Sequence, residues 1–293
     1  MRKPVGRFAP SPTGDLHFGS LVAALGSYLN VRSQGGEWLV RIENIDPPRE
    51  VSGAGQRQIE ALERHGLFSD RDVAWQLDST RQHRAALAQL IEAGRAFPCS
   101  CTRSDLPPDG VYPGTCRDGI PKERQARSVR LRVADTVIGF NDGIQGAREQ
   151  NLATECGDFV IGRADGLIAY QLAVVVDDAL AGVSEVVRGM DLIDSTARQI
   201  AVYRALGLEP PRYAHLPLIT DSKGRKLSKS EQDDPVRVQS PVSNLKIALH
   251  SLGHTAPSQI SKTQDLLEWA IASWDLSRVP QGPSPMSMAG EST

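Results

Sequence analysis

Aromatic residues make up only 5% of the 293-residue chain, there are four cysteines, and 33 basic side chains nearly balance 35 acidic ones. Each shortage narrows what the protein can be. With no apolar run near the roughly 20 residues a bilayer span needs, no membrane segment or membrane partner is expected. Met1 to Gly6 lacks the apolar stretch of a secretory leader, so a cytoplasmic location is expected. A formal net charge of -2 gives no global basic field, and any contact with nucleic acid has to come from a local patch. Four cysteines are too few for a disulfide scaffold. Three of them, Cys99, Cys101 and Cys116, are clustered in a way that suggests a metal in a reducing compartment, while Cys156 stands apart as a core residue.

Against this plain background the punctuation is informative. Val5 to Ala9 reads as a strand broken at Pro10-Ser11-Pro12-Thr13-Gly14, and Leu21, Leu25, Tyr28, Leu29 and Val31 then follow with helical spacing. Trp38 to Ile42 gives a second strand after Gly35-Gly36, completing a strand-helix-strand unit of the kind that builds parallel sheets. Helices are expected over Gln56–His65 and Thr80–Ala93. From Phe97 to about Cys156 the texture shifts to cysteine, proline and polar strands such as Ser128–Val133, the mark of an inserted subdomain. Sheet-like segments return at Phe159–Ile161, Tyr170–Val176 and Glu185–Arg188, with helices at Ser195–Leu206 and Gln264–Trp274. Asp177 and Asp178 read as helix-cap or loop acids. Beyond Ser277 the chain is rich in Pro, Gly, Ser and Met without periodicity, and disorder is expected.

Two segments carry phosphate chemistry. In Ser11-Pro12-Thr13-Gly14-Asp15-Leu16-His17-Phe18-Gly19-Ser20, a tight turn delivers a helix amino terminus whose free N–H groups and dipole favour phosphate, and His17 can donate to phosphate oxygens even when neutral. In Lys226-Leu227-Ser228-Lys229-Ser230, two ammonium groups and two hydroxyls sit on a loop after Gly224 that could close over a nucleotide. Each alone has a bland alternative, a capped helix or a solvated charged loop. Together, in this order, they point to ATP-dependent activation of an amino acid as its adenylate. Cys99, Cys101, Tyr112 and Cys116 could supply three thiolates and a phenolate to a tetrahedral zinc with no open position, hence a structural one; free thiols beside a core tyrosine are the alternative.

These motifs resemble the histidine-glycine and lysine-serine signatures of class I aminoacyl-tRNA synthetases. Arg7 to Gly14, Arg41 to Asp46, Tyr170 and Val187 to Leu192 narrow the resemblance to the glutamyl type, over about Arg7 to Ser230. Ser20 stands where the family commonly has His or Gly, and Leu227 where it has Met. The resemblance implies an α/β fold: a Rossmann-type parallel-sheet nucleotide-binding domain in two halves, 1–96 and 157–240, with the zinc-containing subdomain inserted at 97–156. C-terminal helices at 241–276 and a disordered tail at 277–293 complete it.

It also implies site residues. Ser11, Thr13, Gly14, His17, Gly19, Ser20, Lys226, Ser228 and Lys229 would bind ATP with its magnesium, and His17 and Lys229 would stabilise the transition state. Glutamate would be held by Arg7, Ala9, Ser11, Glu43, Tyr170 and Arg188, two cationic forks and one acid answering two carboxylates and one ammonium. Only 63 residues follow Ser230, too few for a helical anticodon-reading domain. With the Cys-Cys-Tyr-Cys set, this makes the chain similar to the family that attaches glutamate to queuosine in the anticodon of tRNA(Asp). The expected partners are therefore L-glutamate, ATP and queuosine-bearing tRNA(Asp), and the chain reads as a monomer. The rival readings are a truncated glutamyl-tRNA synthetase charging an acceptor end, a non-catalytic RNA-binding module of the same fold, and a small-molecule adenylate-forming ligase.

Overall fold

The computed structural model describes residues 3–220 and 240–285. The lysine-serine loop, with Lys226, Ser228 and Lys229, lies outside the described residues. Strand β1 (Val5–Phe8), helix α1 (Phe18–Arg32) and strand β2 (Glu37–Ile42) form the expected unit. Helix α2 (Ala54–Arg64), the two-residue strand β3 (Ala74–Trp75) and helix α3 (Thr80–Glu92) follow. Next come β4 (Ala96–Cys99), β5 (Ser128–Leu131), β6 (Val137–Asp142), β7 (Gly146–Asn151), the short helix α4 (Leu152–Glu155) and β8 (Val160–Gly162). Helix α5 (Tyr170–Ala181), β9 (Glu185–Gly189), α6 (Ile193–Ala205), β10 (Arg212–Leu216), β11 (Ile219–Thr220), α7 (Pro241–Ser251), α8 (Thr263–Ser273) and β12 (Ser284–Pro285) complete it.

The main sheet runs β3-β2-β1-β9-β10-β6-β7 and is parallel except for the last pair. Strand order reverses between β1 and β9, and in open α/β sheets the crevice beyond the carboxyl ends at such a reversal is where ligands bind. Helix α1 is buried along most of its length because it lies between the sheet and helices α7 and α8, with Leu21, Leu25 and Leu29 fully enclosed. Trp38 on β2 anchors this layer: it is fully buried, its Nε1–H donates to Ser27 Oγ at 2.9 Å, and its ring meets Tyr28 edge-on at 5.4 Å.

The structure departs from the sequence reading in three places. Tyr170–Val176 is helical, not a strand: the run Leu172 to Val176 is apolar on every side because α5 is buried against α3 and α6, and such a run has the look of a buried strand. It ends at Gly182, whose φ of 73° is the left-handed helix stop that glycine accommodates without penalty. The inserted segment is not self-contained either. Its β4 and β5 join β8 in a three-stranded antiparallel sheet, whereas its β6–β7 hairpin extends the main sheet beside β10. Finally, residues 277–285 of the expected disordered tail include part of the turn Leu276–Arg278 and strand β12, which pairs in parallel with β11.

Gly157 shows how tightly the small sheet and the cysteine segment are joined. It has φ of 64°, and a Cβ there would lie 2.3 Å from the carbonyl oxygen and 2.7 Å from the nitrogen of Tyr112. Gly146 has φ of 75° with nothing near its missing Cβ. Gly146→Ala should therefore lose only the left-handed backbone cost of about 1–2 kcal/mol. Gly157→Ala should lose clearly more, read as a larger fall in thermal midpoint, because main chain cannot swing aside as a flexible side chain does.

Candidate functional site

At the strand-order reversal the carboxyl ends of β1 and β9, the turn into α1, and the segment after β10 enclose a cavity of about 500 Å³. It gathers the residues expected for glutamate, Arg7, Ala9, Ser11, Glu43, Tyr170 and Arg188, around one space. Of the residues expected for nucleotide, Thr13, His17, Gly19 and Ser20 line the same space, whereas Gly14 shapes the turn before it with φ of 150°. Asp191, in the turn after β9, also lines the cavity; it lies inside a motif legible in the sequence but was assigned no role there.

The turn is held together by its own side chains. His17 is the N-cap of α1: its Nδ1 accepts the main-chain N–H of Ser20 at 3.2 Å, and its Nε2 lies 2.9 Å from Ser20 Oγ. A ring nitrogen that accepts carries no proton, so the neutral ring bears its hydrogen on Nε2 and donates to the serine hydroxyl. Ser20, a departure from the family pattern, is thus the residue that engages His17. Gln58 pins the turn from below by donating to the carbonyl oxygens of Ser11 and Gly14 at 3.1 and 2.6 Å.

Beneath the cavity lies a cluster of buried charges. Arg7 on β1, Arg41 on β2 and Arg188 on β9 are each no more than 5% exposed. Asp178, on the inward face of α5, receives Arg7 Nε at 3.1 Å and Arg41 Nη1 at 2.7 Å. Its carboxyl is opposed by burial, yet the two guanidinium groups hold it below its ordinary range. Arg41 also pairs with Glu43 at 3.0 Å and approaches Asp177 at 3.8 Å; Asp177 itself takes His83 Nε2 and Gln76 Nε2, each at 2.7 Å. Asp177 and Asp178 are therefore neither cap nor loop acids. They are helix-interior carboxylates that neutralise the arginines of β1 and β2. Glu43 is pushed up from its ordinary range by burial, with Arg41 pulling it down.

Arg188 is different. Its Nε donates to His215 Nε2 at 3.0 Å, Nη1 to Gln199 Oε1 at 2.7 Å, and Nη2 to Thr196 Oγ1 and the Leu192 carbonyl at 2.9 and 3.2 Å. None of these partners is a carboxylate, and no described acid lies within ion-pair distance of it. Burial lowers its pKa, a sign that its charge is poorly compensated. A buried guanidinium left without an anion beside a cavity is a ready carboxylate receptor.

A second cluster lies in the inserted segment. The sulfurs of Cys99, Cys101 and Cys116 all fall within 4.8 Å of one another, and the Cys101–Cys116 pair is 3.7 Å apart. Tyr112 Oη lies 3.5 Å from Cys99 Sγ and accepts the Cys116 main-chain N–H at 2.8 Å. A tetrahedral ion with sulfur bonds of about 2.3 Å and an oxygen bond of about 2.0 Å sets sulfurs roughly 3.8 Å apart and sulfur and oxygen roughly 3.5 Å apart. The spacing fits. Burial and neighbouring thiols push Cys101 up to about 11, while hydrogen bonds from Ser100 and Tyr112 overcome burial and bring Cys116 down to about 7. Burial and Cys99 also raise the Tyr112 phenol, so it stays protonated until an ion displaces its proton. Arg130 covers the cluster: its guanidinium sits 3.9 Å over the Tyr112 ring, and its Nε donates to Cys99 Sγ at 3.3 Å. Arg117 ties the strand after it down through a double contact with Asp158 at 2.7 and 2.6 Å.

Known proteins similar to this chain fall in one family. The family described as tRNA synthetases class I (E and Q), catalytic domain, matches residues 4–108 and 116–242. A protein from Chromobacterium violaceum named glutamyl-Q tRNA(Asp) synthetase is 50% identical over 97% of this chain and 98% of its own length. One of the same name from Pseudomonas aeruginosa is 47% identical over 94% and 95%. A solved glutamate tRNA ligase from Elizabethkingia meningosepticum, in complex with its amino acid, superposes with a TM-score of 0.82 at 26% identity over 98% of this chain and 68% of that one.

The paired role of Asp178 can be tested directly. Asp178→Asn keeps the shape and leaves Arg7 and Arg41 short of a negative charge, which should cost about 3–5 kcal/mol. Because the aspartate pKa is depressed in the folded protein, its contribution is complete above the unfolded value near 3.8 and is lost as pH falls through the folded one. Denaturant titrations should therefore show the two proteins far apart at neutral pH and converging in strong acid.

Proposed function

Since the chain belongs to the class I tRNA synthetases of the glutamyl and glutaminyl type, we propose that it activates L-glutamate with ATP and passes the glutamyl group to queuosine in the anticodon of tRNA(Asp). The observation that carries the activation half is Arg188, a buried cation with no anionic partner among the described residues, at the cavity where a helix amino terminus also opens. Arg7 lines the same cavity, with its charge already offset through its Nε bond to Asp178, and adds a weaker cationic contact for the substrate. Glu43 and Tyr170 on the same wall supply an acceptor for the substrate ammonium and a hydroxyl to fix its orientation.

The glutamate α-carboxylate attacks the α-phosphorus of ATP and pyrophosphate leaves. Ser11, Thr13, His17 and the first turn of α1 bind the phosphates, and Lys226, Ser228 and Lys229 add positive charge and hydroxyl donors; magnesium would accompany the nucleotide. Catalysis of this step is positioning and charge stabilisation, so no side-chain nucleophile is required. A hydroxyl of the queuosine cyclopentene diol then attacks the activated carbonyl and forms the ester, releasing AMP. The acceptor assignment is supported by relatives at 47–50% identity over nearly their whole length that carry this name.

The acceptor is tested with labelled glutamate, ATP and tRNA(Asp) bearing either queuosine or guanosine, with the 3′-terminal adenosine removed from half of each sample. Label should enter only the queuosine tRNA, with or without its terminal adenosine. Label that requires that adenosine, or that enters tRNA(Glu), would transfer the reading to an acceptor-end synthetase. Glutamine should be activated poorly, because its neutral amide leaves Arg188 without a counter-charge.

The second cluster is best read as a structural zinc site held by Cys99, Cys101, Cys116 and Tyr112. Four ligands leave the ion no open position, so its role is to fix the inserted segment against β8 through the Gly157–Tyr112 contact. Elemental analysis of protein purified without chelator should find one zinc per chain. Cys116→Ser should lower that content and the thermal midpoint together; absence of zinc from the unaltered protein would return the cluster to buried thiols.

A further inference from the structure

Arg188 raises a problem that Arg7 does not. A buried guanidinium has to be held rigidly to be selective, yet the usual holder, a carboxylate, would cancel the charge that a substrate carboxylate needs. Arg7 and Arg41 accept that cancellation from Asp178; Arg188 is held instead by His215 on β10. His215 is fully buried, and behind it Asp142 Oδ2 lies 2.5 Å from Nδ1.

The hydrogen positions follow from donor inventory. A guanidinium N–H can only donate, so His215 Nε2, 3.0 Å from Arg188 Nε, has to present a lone pair. The Thr196 hydroxyl, 3.3 Å from the same nitrogen, can donate to it as well. The ring proton therefore resides on Nδ1 and is donated to Asp142. Asp142 is fixed in turn: its Oδ1 accepts the main-chain N–H groups of Ile144, Gln145 and His215 at 3.0, 2.8 and 3.1 Å, which aims Oδ2 at the ring.

Resting on the glutamate reading above, we propose that Asp142 and His215 are positioning residues for substrate recognition. The aspartate fixes the imidazole as its neutral Nδ1–H tautomer, and that neutral ring aims Arg188 at the substrate carboxylate without neutralising it. The imidazole is a spacer between acid and cation. Of the five guanidinium hydrogens, Nε uses one, Nη2 two and Nη1 one, which leaves a single Nη1 hydrogen for the cavity. A tilt of the ring would redirect that hydrogen. Burial lowers the His215 pKa, and the hydrogen bond to Asp142 raises it while the facing Arg188 and the more distant Arg7 lower it, so the net direction keeps the ring uncharged.

Asp142→Asn separates this role from simple packing. The amide oxygen should keep the three main-chain N–H groups, which leaves the NH2 facing Nδ1 and drives the ring proton to Nε2, against the Nε–H of Arg188. In glutamate-dependent pyrophosphate exchange the variant should show a KM for glutamate raised about ten-fold or more, as expected for loss of a hydrogen bond to a charged group. Its KM for ATP and its kcat at saturating glutamate should stay within a few-fold of the unaltered enzyme. Nitrogen-15 spectra of the histidine-labelled protein should show Nδ1 protonated in the unaltered chain and Nε2 protonated in the variant. An unaltered chain with its His215 proton on Nε2 would overturn the proposal whether or not the variant folds. So would an unchanged glutamate KM, or a rise shared equally by ATP. No exchange at all with glutamate by the unaltered enzyme would instead overturn the activation reading, and this inference with it.

Discussion

Burial of positive charge at the floor of the cavity is the constraint on which the remaining architecture depends. Strands β1, β2 and β9 each carry a buried arginine at their penultimate position. Such groups are tolerated only where partners already stand in place. Helix α5 supplies those partners, Asp177 and Asp178, on its inward face, and its apolar remainder is buried against α3 and α6. The cavity is therefore a place where two positive charges are cancelled from below and a third is supported through a neutral ring.

This arrangement explains what could and could not be read from residues in order. The turn into α1 was legible because its geometry is local: proline, glycine and a capping side chain act within a few positions of one another. The thiol cluster was legible because its sulfurs come from three positions within one segment. The role of α5 was not. A run such as Leu172 to Val176 has no polar face to betray a helix, and the aspartates after it acquire meaning only from arginines more than a hundred residues away. His215 is hidden for a related reason. A single histidine between Ala214 and Leu216 resembles any satisfied core histidine until β9 and β6 bring Arg188 and Asp142 to its two nitrogens.

The inserted segment shows a comparable division. Its cysteine end is an addition to the fold, joined to β8 through the close Gly157–Tyr112 contact. Its β6–β7 end belongs to the main sheet and supplies Asp142, so one excursion of the chain contributes both the metal-type cluster and a residue beneath the cavity. A boundary drawn from composition alone runs through both sheets.

The same hairpin decides how the sheet ends. A parallel sheet that stopped at β6 would offer an open row of main-chain donors and acceptors at its margin. Strand β7 turns back antiparallel instead and carries Arg148, Glu149 and Gln150 on a largely exposed ribbon. At the opposite margin β3 is only two residues long. One margin carries charged side chains and the other is too short to template a partner, and both features work against sheet-to-sheet pairing between copies.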